Sequence, residues 1–161
     1  MSYIRFAAMI AVSTVVMFGL IYLNTYTADH IFFSQTRAWM ALVMGAVMAL
    51  IMLGFMLNMY KHRRTNIFIA ITSVAVFVAA LFLVRSQATV NDTAWMKAMI
   101  PHHSIAILTS RRADIRDPRV RQLADRIIEA QLREISEMKQ LIAELESRPV
   151  PPDAPRLPSG R

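Results

Sequence analysis

Few residues in this chain have chemistry to offer. It holds four histidines (His30, His62, His102 and His103), twelve methionines and no cysteine. Without cysteine there is no disulfide framework, thiolate zinc site, iron–sulfur cluster or cysteine nucleophile. A bound metal would have to use imidazole, carboxylate, amide or thioether. Two short blocks bring those groups together. In the first, at about 100° per helical residue, Met96, Met99, Ile100, His103, Ile107 and Ser110 gather on one face. His103 lies near the middle of that face, with His102 about 100° to its side.

The second block lies on a helix read from Pro118 to Ser147. Val120, Ile127 and Leu141 belong to one seven-residue series, and Ala124, Met138 and Leu145 to another. Glu134 and Gln131 occupy the missing places, so two polar groups are expected in the middle of an apolar seam. A buried carboxylate with no partner is costly, so Glu134 needs a cation, a donor or a proton. Folding the chain about Arg116 brings His103, 13 residues before it, level with Gln131, 15 after it. Met99 then faces the Glu134–Met138 region. Two readings fit. Imidazole and thioether without thiolate suit Cu(I) or Cu(II) in an oxidising compartment, whereas zinc or iron usually find more histidine or carboxylate. Alternatively, His103 bonded to Glu134 or Gln131 makes a satisfied polar layer that fixes register.

The elements that position these blocks have local signals. Asp92 is a candidate N-cap for a helix from Thr93 to about Ala113. Pro101 interrupts it and frees the carbonyl of Lys97. Asp114 to Pro118 reads as a turn, with Asp117 as cap and Pro118 at the first helical position.

Upstream the sequence is of another kind. Over its 161 residues the chain is 55% hydrophobic and only 18% charged, with a mean hydropathy of +0.39, too apolar for an ordinary water-soluble domain. Three charge-free runs, 6–23, 38–60 and 65–84, hold 18, 23 and 20 residues. At 1.5 Å per residue, roughly 20 residues cross a hydrocarbon layer of ~30 Å, and helix is the conformation that satisfies the backbone there. The first run is expected to be retained: Tyr26-Thr27-Ala28 puts a bulky tyrosine where a signal-peptide cleavage site wants a small residue. Lys61-His62-Arg63-Arg64 is the densest basic cluster beside any run, which places it and the N-terminus in the cytoplasm and everything after Val84 outside.

The net charge of +7 does not point to nucleic acid. Residues 1–89 carry +5 beside the apolar runs and 90–161 only +2, with no basic stripe interleaved with aromatics. Met40, Met44, Met48, Met52 and Met56, followed by Met59, recur along the second run. The ladder reads either as a thioether track for a soft ion or as flexible apolar filler, and packing is favoured because nothing hydrophilic accompanies it. Residues 149–161 hold five of the seven prolines and are expected to be an extended, poorly ordered tail.

Met99-Ile100-Pro101-His102-His103, then Ala106-Ile107, then Gln131-x-x-Glu134-Ile135-x-x-Met138, with Asp92 upstream, resemble the bacterial family called "domain of unknown function 305". The resemblance covers about 91–146. It implies a ferritin-like helical fold, association with copper in the periplasm, and a site drawn from Met99, His102, His103, Gln131, Glu134 and Met138. Thr109 stands where the family commonly has methionine.

The expected protein is all-α: a membrane domain over 1–89, an antiparallel two-helix hairpin over 90–148 that is half of a ferritin-like four-helix bundle, and the tail. A hairpin alone buries too little to be stable, so a second copy, a larger membrane complex or the bilayer should cover it. The expected function is outward-facing copper binding at a bacterial inner membrane through His103, His102, Met99, Met138, Glu134, Gln131 and Met96. The alternative is a non-catalytic accessory subunit of a membrane complex. With four glycines, no phosphate loop and no nucleophile–base–orienter set, the chain is not expected to be an enzyme.

Overall fold

A computed structural model describes residues 2–151, 153–155 and 157. Among these residues there are five α-helices and no strand: α1 (Tyr3–Leu20), α2 (Gln35–Phe55), α3 (Arg63–Ser86), α4 (Asp92–Arg112) and α5 (Pro118–Ser147). The first three are long and apolar enough to cross a membrane.

Each helix has a local reason to begin or end. The Ser2 and Ser34 hydroxyls accept the Ile4 and Arg37 N–H groups and so cap α1 and α2. Gln87 closes α3 in the left-handed conformation at φ 52°, donating its N–H to the Leu83 carbonyl and its side-chain amide to that of Val84. The second apolar run is not one helix to Tyr60. It ends at Phe55, and Leu57–Met59 form a short 3-10 turn, so Met56 and Met59 leave the ladder. Hydropathy alone cannot reveal that break, because the residues on both sides of it are apolar.

Within the trio, α2 is the central helix and packs against both neighbours. Ala41, Gly45, Ala46 and Ala49 are buried and let the other helices approach closely. A Cβ built on Gly45 would lie 2.3 Å from the Thr14 hydroxyl, so only glycine fits without a shift. Met52 and Met56 pack with the cluster of Phe6, Ala49, Leu53 and Tyr60, which is a packing use of thioethers. Much of the outer surface remains apolar: Ile4, Phe55, Phe68 and Phe82 are all exposed. Such a surface matches hydrocarbon rather than water.

Antiparallel to one another, α4 and α5 form a hairpin separated from the end of α3 by five residues. Of the expected tail, 149–151 are not helical, and the Ala154 N–H closes a turn onto the Pro151 carbonyl. Pro152, Arg156 and 158–161 lie outside the described residues.

Candidate functional site

The helices of the hairpin are set by their caps. Asn91, not Asp92, caps α4: its Oδ1 accepts the Ala94 N–H at 2.9 Å, and Asp92 becomes the first helical residue. Pro101 does not break the helix, which continues from Asp92 to Arg112 with the proline fully buried inside it. Asp117 caps α5 by accepting the Arg119 and Val120 N–H groups, with Pro118 at the first position as expected.

The seam of α5 keeps one of the two series read off the sequence, Ala124, Gln131, Met138 and Leu145, and replaces the other. Ala124, Ile135, Met138 and Ile142 are buried, with Ile128, Gln131 and Leu145 half-buried beside them. The spacing is the alternating four and three of a helix that packs along one stripe. Val120 and Leu141, assigned to the seam by their seven-residue spacing, are exposed. Glu134 shares their series, so it sits at the edge of the interface, its side chain 52% exposed, rather than in the middle. A seven-residue repeat identifies a series of positions but not which series faces inward, and Ile128–Ile135–Ile142 takes that place here.

On α4 the inward face is as expected, with Met96, Ile100, His103 and Ile107 buried. His103 reaches Glu134: Nε2 lies 2.7 Å from Oε2. Its other nitrogen lies 3.1 Å from the Met99 carbonyl. A carbonyl only accepts, so Nδ1 carries a hydrogen, and the tautomer and ring orientation follow. The Nε2–Oε2 contact therefore has a proton between two groups that would otherwise both be acceptors. At this separation the two atoms share a hydrogen, and a metal bound to both would need them to move apart.

Met96 and Met138 lie in the buried core of the hairpin with Ile100, Ile107, Ile135 and Ile142, and Met99 packs against it. Gln131 is half-buried in the seam one turn before Glu134. His102 is exposed, its ring 6.2 Å from that of His103. Among the described residues, no group of three or more His, Asp or Glu side chains is gathered to hold a metal ion. A cleft of about 920 Å³ at the mouth of the hairpin is lined by Asp92, Trp95, Met96, Leu141, Glu144 and Arg148 among others, and does not include His103 or Glu134.

What sequence reasoning missed is how the hairpin is held. The loop between α1 and α2 lies against it, with Tyr26 and Phe32 packed on the apolar core. Ser104 is fully buried and accepts the Tyr26 N–H at 2.7 Å, with His30 Nδ1 3.0 Å from the same oxygen. Arg111 donates to the Tyr26 hydroxyl and lies over its ring, and Lys139 pairs with Asp29 at 2.6 Å. The Lys139 and Thr27 hydrogen bonds pull the Asp29 carboxyl down to about 2, while burial lowers His30 from its ordinary value. A neutral His30 accepts the Ser104 hydroxyl hydrogen at Nδ1, so every polar atom of Ser104 is used. His30, one of two histidines given no role by the sequence and next to the only acidic residue before Asp92, was the available signal.

The family described as "Domain of unknown function (DUF305)" matches residues 79–150, which contain the whole hairpin. An uncharacterized protein, L153, of Acanthamoeba polyphaga mimivirus is 36% identical over 104 residues, covering 60% of this chain and 68% of that protein. That relative is viral, so the likeness is not confined to bacteria. No solved structure matches.

Proposed function

The chain belongs to the DUF305 family, and from that premise we propose that it is a membrane-anchored, outward-facing metal-binding protein whose metal is copper. The observation that carries the proposal is the His103–Glu134 contact at 2.7 Å with Nδ1 tied to a backbone carbonyl. That bond leaves Nε2 as the coordinating nitrogen, and orienting hydrogen bonds of this kind accompany most metal-binding histidines. The thioethers of Met96, Met99 and Met138 belong to the same hairpin core. Imidazole with thioether and no thiolate is the donor chemistry of copper rather than of zinc. Gln131 and His102 flank the pair.

One chain supplies too few donors to close a coordination shell. Metal sites in helical bundles draw ligands from several facing helices. A second hairpin, related by a two-fold axis, would double the His103 and Glu134 sets and complete a four-helix bundle. The anchor is the α1–α3 trio, and positive-inside logic puts Lys61–Arg64 in the cytoplasm of a bacterial inner membrane and the hairpin in the periplasm. The role is copper holding without catalysis. An accessory subunit is the second reading, favoured by the exposed Trp95, Leu123 and Leu141 on the same side as His102.

The test is metal analysis of the full-length protein in mild detergent after exposure to Cu(I), Cu(II) or Zn(II), with mass measurement of the assembly. Saturable copper uptake by a dimer, removed by His103→Ala and weakened about 10–100-fold by Glu134→Gln, is expected. Uptake unchanged in His103→Ala would reject the site. Co-purification with other membrane subunits at fixed stoichiometry and without copper would favour the second reading.

A further inference from the structure

We propose that the end of the three-helix unit opposite the hairpin is a binding surface for anionic phospholipid headgroups. The proposal rests on the reading that α1–α3 cross a membrane. Arg5, Lys61, Arg63 and Arg64 are all exposed at this end, and among the described residues none of them takes part in an ion pair. The only acidic residue before Asp92 is Asp29, which lies at the other end and is engaged by Lys139. The contrast with Arg37 is direct: that guanidinium donates to the Ile21 carbonyl and stacks on Tyr22. Four cations therefore crown one end with no anion among the described residues to meet them.

The backbone adds to this field and the side chains hold it in place. Both α1 and α3 begin here, so two helix N-termini point their partial positive charge the same way. Ser2 caps the first, but His62 gives α3 no side-chain cap and its first turn holds no acid, which leaves those amides open to an anion. The connector 60–64 is fastened to the start of α1. The Tyr3 hydroxyl donates to Asn66 Oδ1 at 2.8 Å and accepts the His62 N–H at 3.2 Å, while Asn66 donates to the Tyr60 carbonyl at 2.7 Å. Tyr3 and Tyr60 lie against each other with ring centroids 4.9 Å apart and planes tilted by 40°, and Tyr60 is buried within the unit, so the connector is held by packing as well as by hydrogen bonds. The cations sit on a braced collar at the ends of apolar helices, which is headgroup depth. The matching anion is a lipid phosphate rather than a free one.

Each such cation near an anionic surface is worth about fivefold in partitioning at low salt, and the effect fades with screening. The test uses the full-length protein in mixed micelles of equal phosphatidylglycerol and phosphatidylcholine, with retained lipid counted by native mass spectrometry. The wild type is expected to retain the anionic lipid about tenfold over the neutral one. Lys61→Gln/Arg63→Gln/Arg64→Gln should lose that preference, with melting and helicity unchanged. Arg112→Gln/Arg126→Gln/Arg133→Gln, which removes equal charge from the hairpin, should keep it. Equal retention of the two lipids, a triple variant that behaves as wild type, or displacement of the lipid by millimolar inorganic phosphate would each overturn the proposal. Flotation with neutral vesicles separates the two layers of the argument. Wild type and triple variant both float if the trio spans, and failure of both to float breaks the spanning reading itself.

Discussion

The two faces of the α4–α5 hairpin are built from similar residues and treated differently. One face carries Ser104, Arg111 and Lys139, each bonded to the α1–α2 loop. The other carries His102, the exposed edge of Glu134, and the uncovered apolar side chains Trp95, Leu123 and Leu141. The geometry of a helix forces the division. Positions 102 and 104 of α4 point about 200° apart, and 134 and 139 of α5 about 140° apart. A two-helix hairpin needs cover on both sides to become a stable core. The chain supplies one cover itself, and the polar groups under it are paired within the chain. The other face keeps its histidine and carboxylate at a rim where a further partner, metal or protein, has access.

The sharpest way to test this contrast is Ser104→Ala, which removes the hydroxyl and adds no atom to the fully buried site. The Tyr26 N–H loses its acceptor and His30 its donor at a fully buried oxygen, and each such loss costs about 1–3 kcal/mol. A destabilisation of about 2–4 kcal/mol is expected in denaturant titration of the full-length protein in detergent. Hydrogen exchange at the Tyr26 amide should quicken with it. A loss within about 0.5 kcal/mol would mean that the loop only rests on the hairpin, and the two faces would then be equivalent.

The loop was the part least legible in the sequence, and the reason is physical. Apolar runs and caps are local signals, so the existence, type and order of all five helices and the Asp117–Pro118 start of α5 could be read directly, whereas the partner of His103 was narrowed only to Glu134 or Gln131. The Ser104–His30 and Lys139–Asp29 contacts join residues 74 and 110 positions apart. Nothing local marks such partners beyond their being polar residues near apolar ones. The phase of the α5 seam failed differently. Of the two series read off the sequence, Ala124, Gln131, Met138 and Leu145 does face inward, but tertiary packing joined to it Ile128, Ile135 and Ile142 rather than Val120, Ile127 and Leu141. That choice moved Glu134 from the centre of the interface to its edge, which changes its meaning: it is a reachable carboxylate rather than a buried one requiring rescue.

A smaller effect should distinguish the covered face by its response to acid. Burial lowers the His30 pKa from its ordinary value of 6.5, opposed by Asp29, whose carboxylate lies 3.8 Å from Nε2, and reinforced by the Lys139 charge. Because the unfolded chain takes up the proton more readily than the folded one, His30 contributes stability that is fully present above the unfolded value and is lost as the pH falls below it. The melting temperature should therefore decline between about pH 7 and about pH 5, and His30→Gln should flatten the decline. A melting curve that is already flat in the wild type over that range would remove His30 from the latch.

The smallest expected change in stability belongs to the open face, and its smallness is the point. His102 is exposed, so His102→Ala should alter unfolding by no more than about 0.5 kcal/mol, the range of ordinary surface substitutions. The same holds for Leu123→Ser, because that side chain has no cover within the chain to lose. If the face is a working surface, these variants should instead change association: lower copper uptake for His102→Ala, and a weaker dimer for Leu123→Ser, at unchanged melting temperature. A large loss of stability in the isolated monomer would show that the face is already structural, and the division between the two sides would fall. Neutrality in all three readouts would leave His103 and Glu134 as a polar pair that sets helix register, the role such pairs have when nothing further binds.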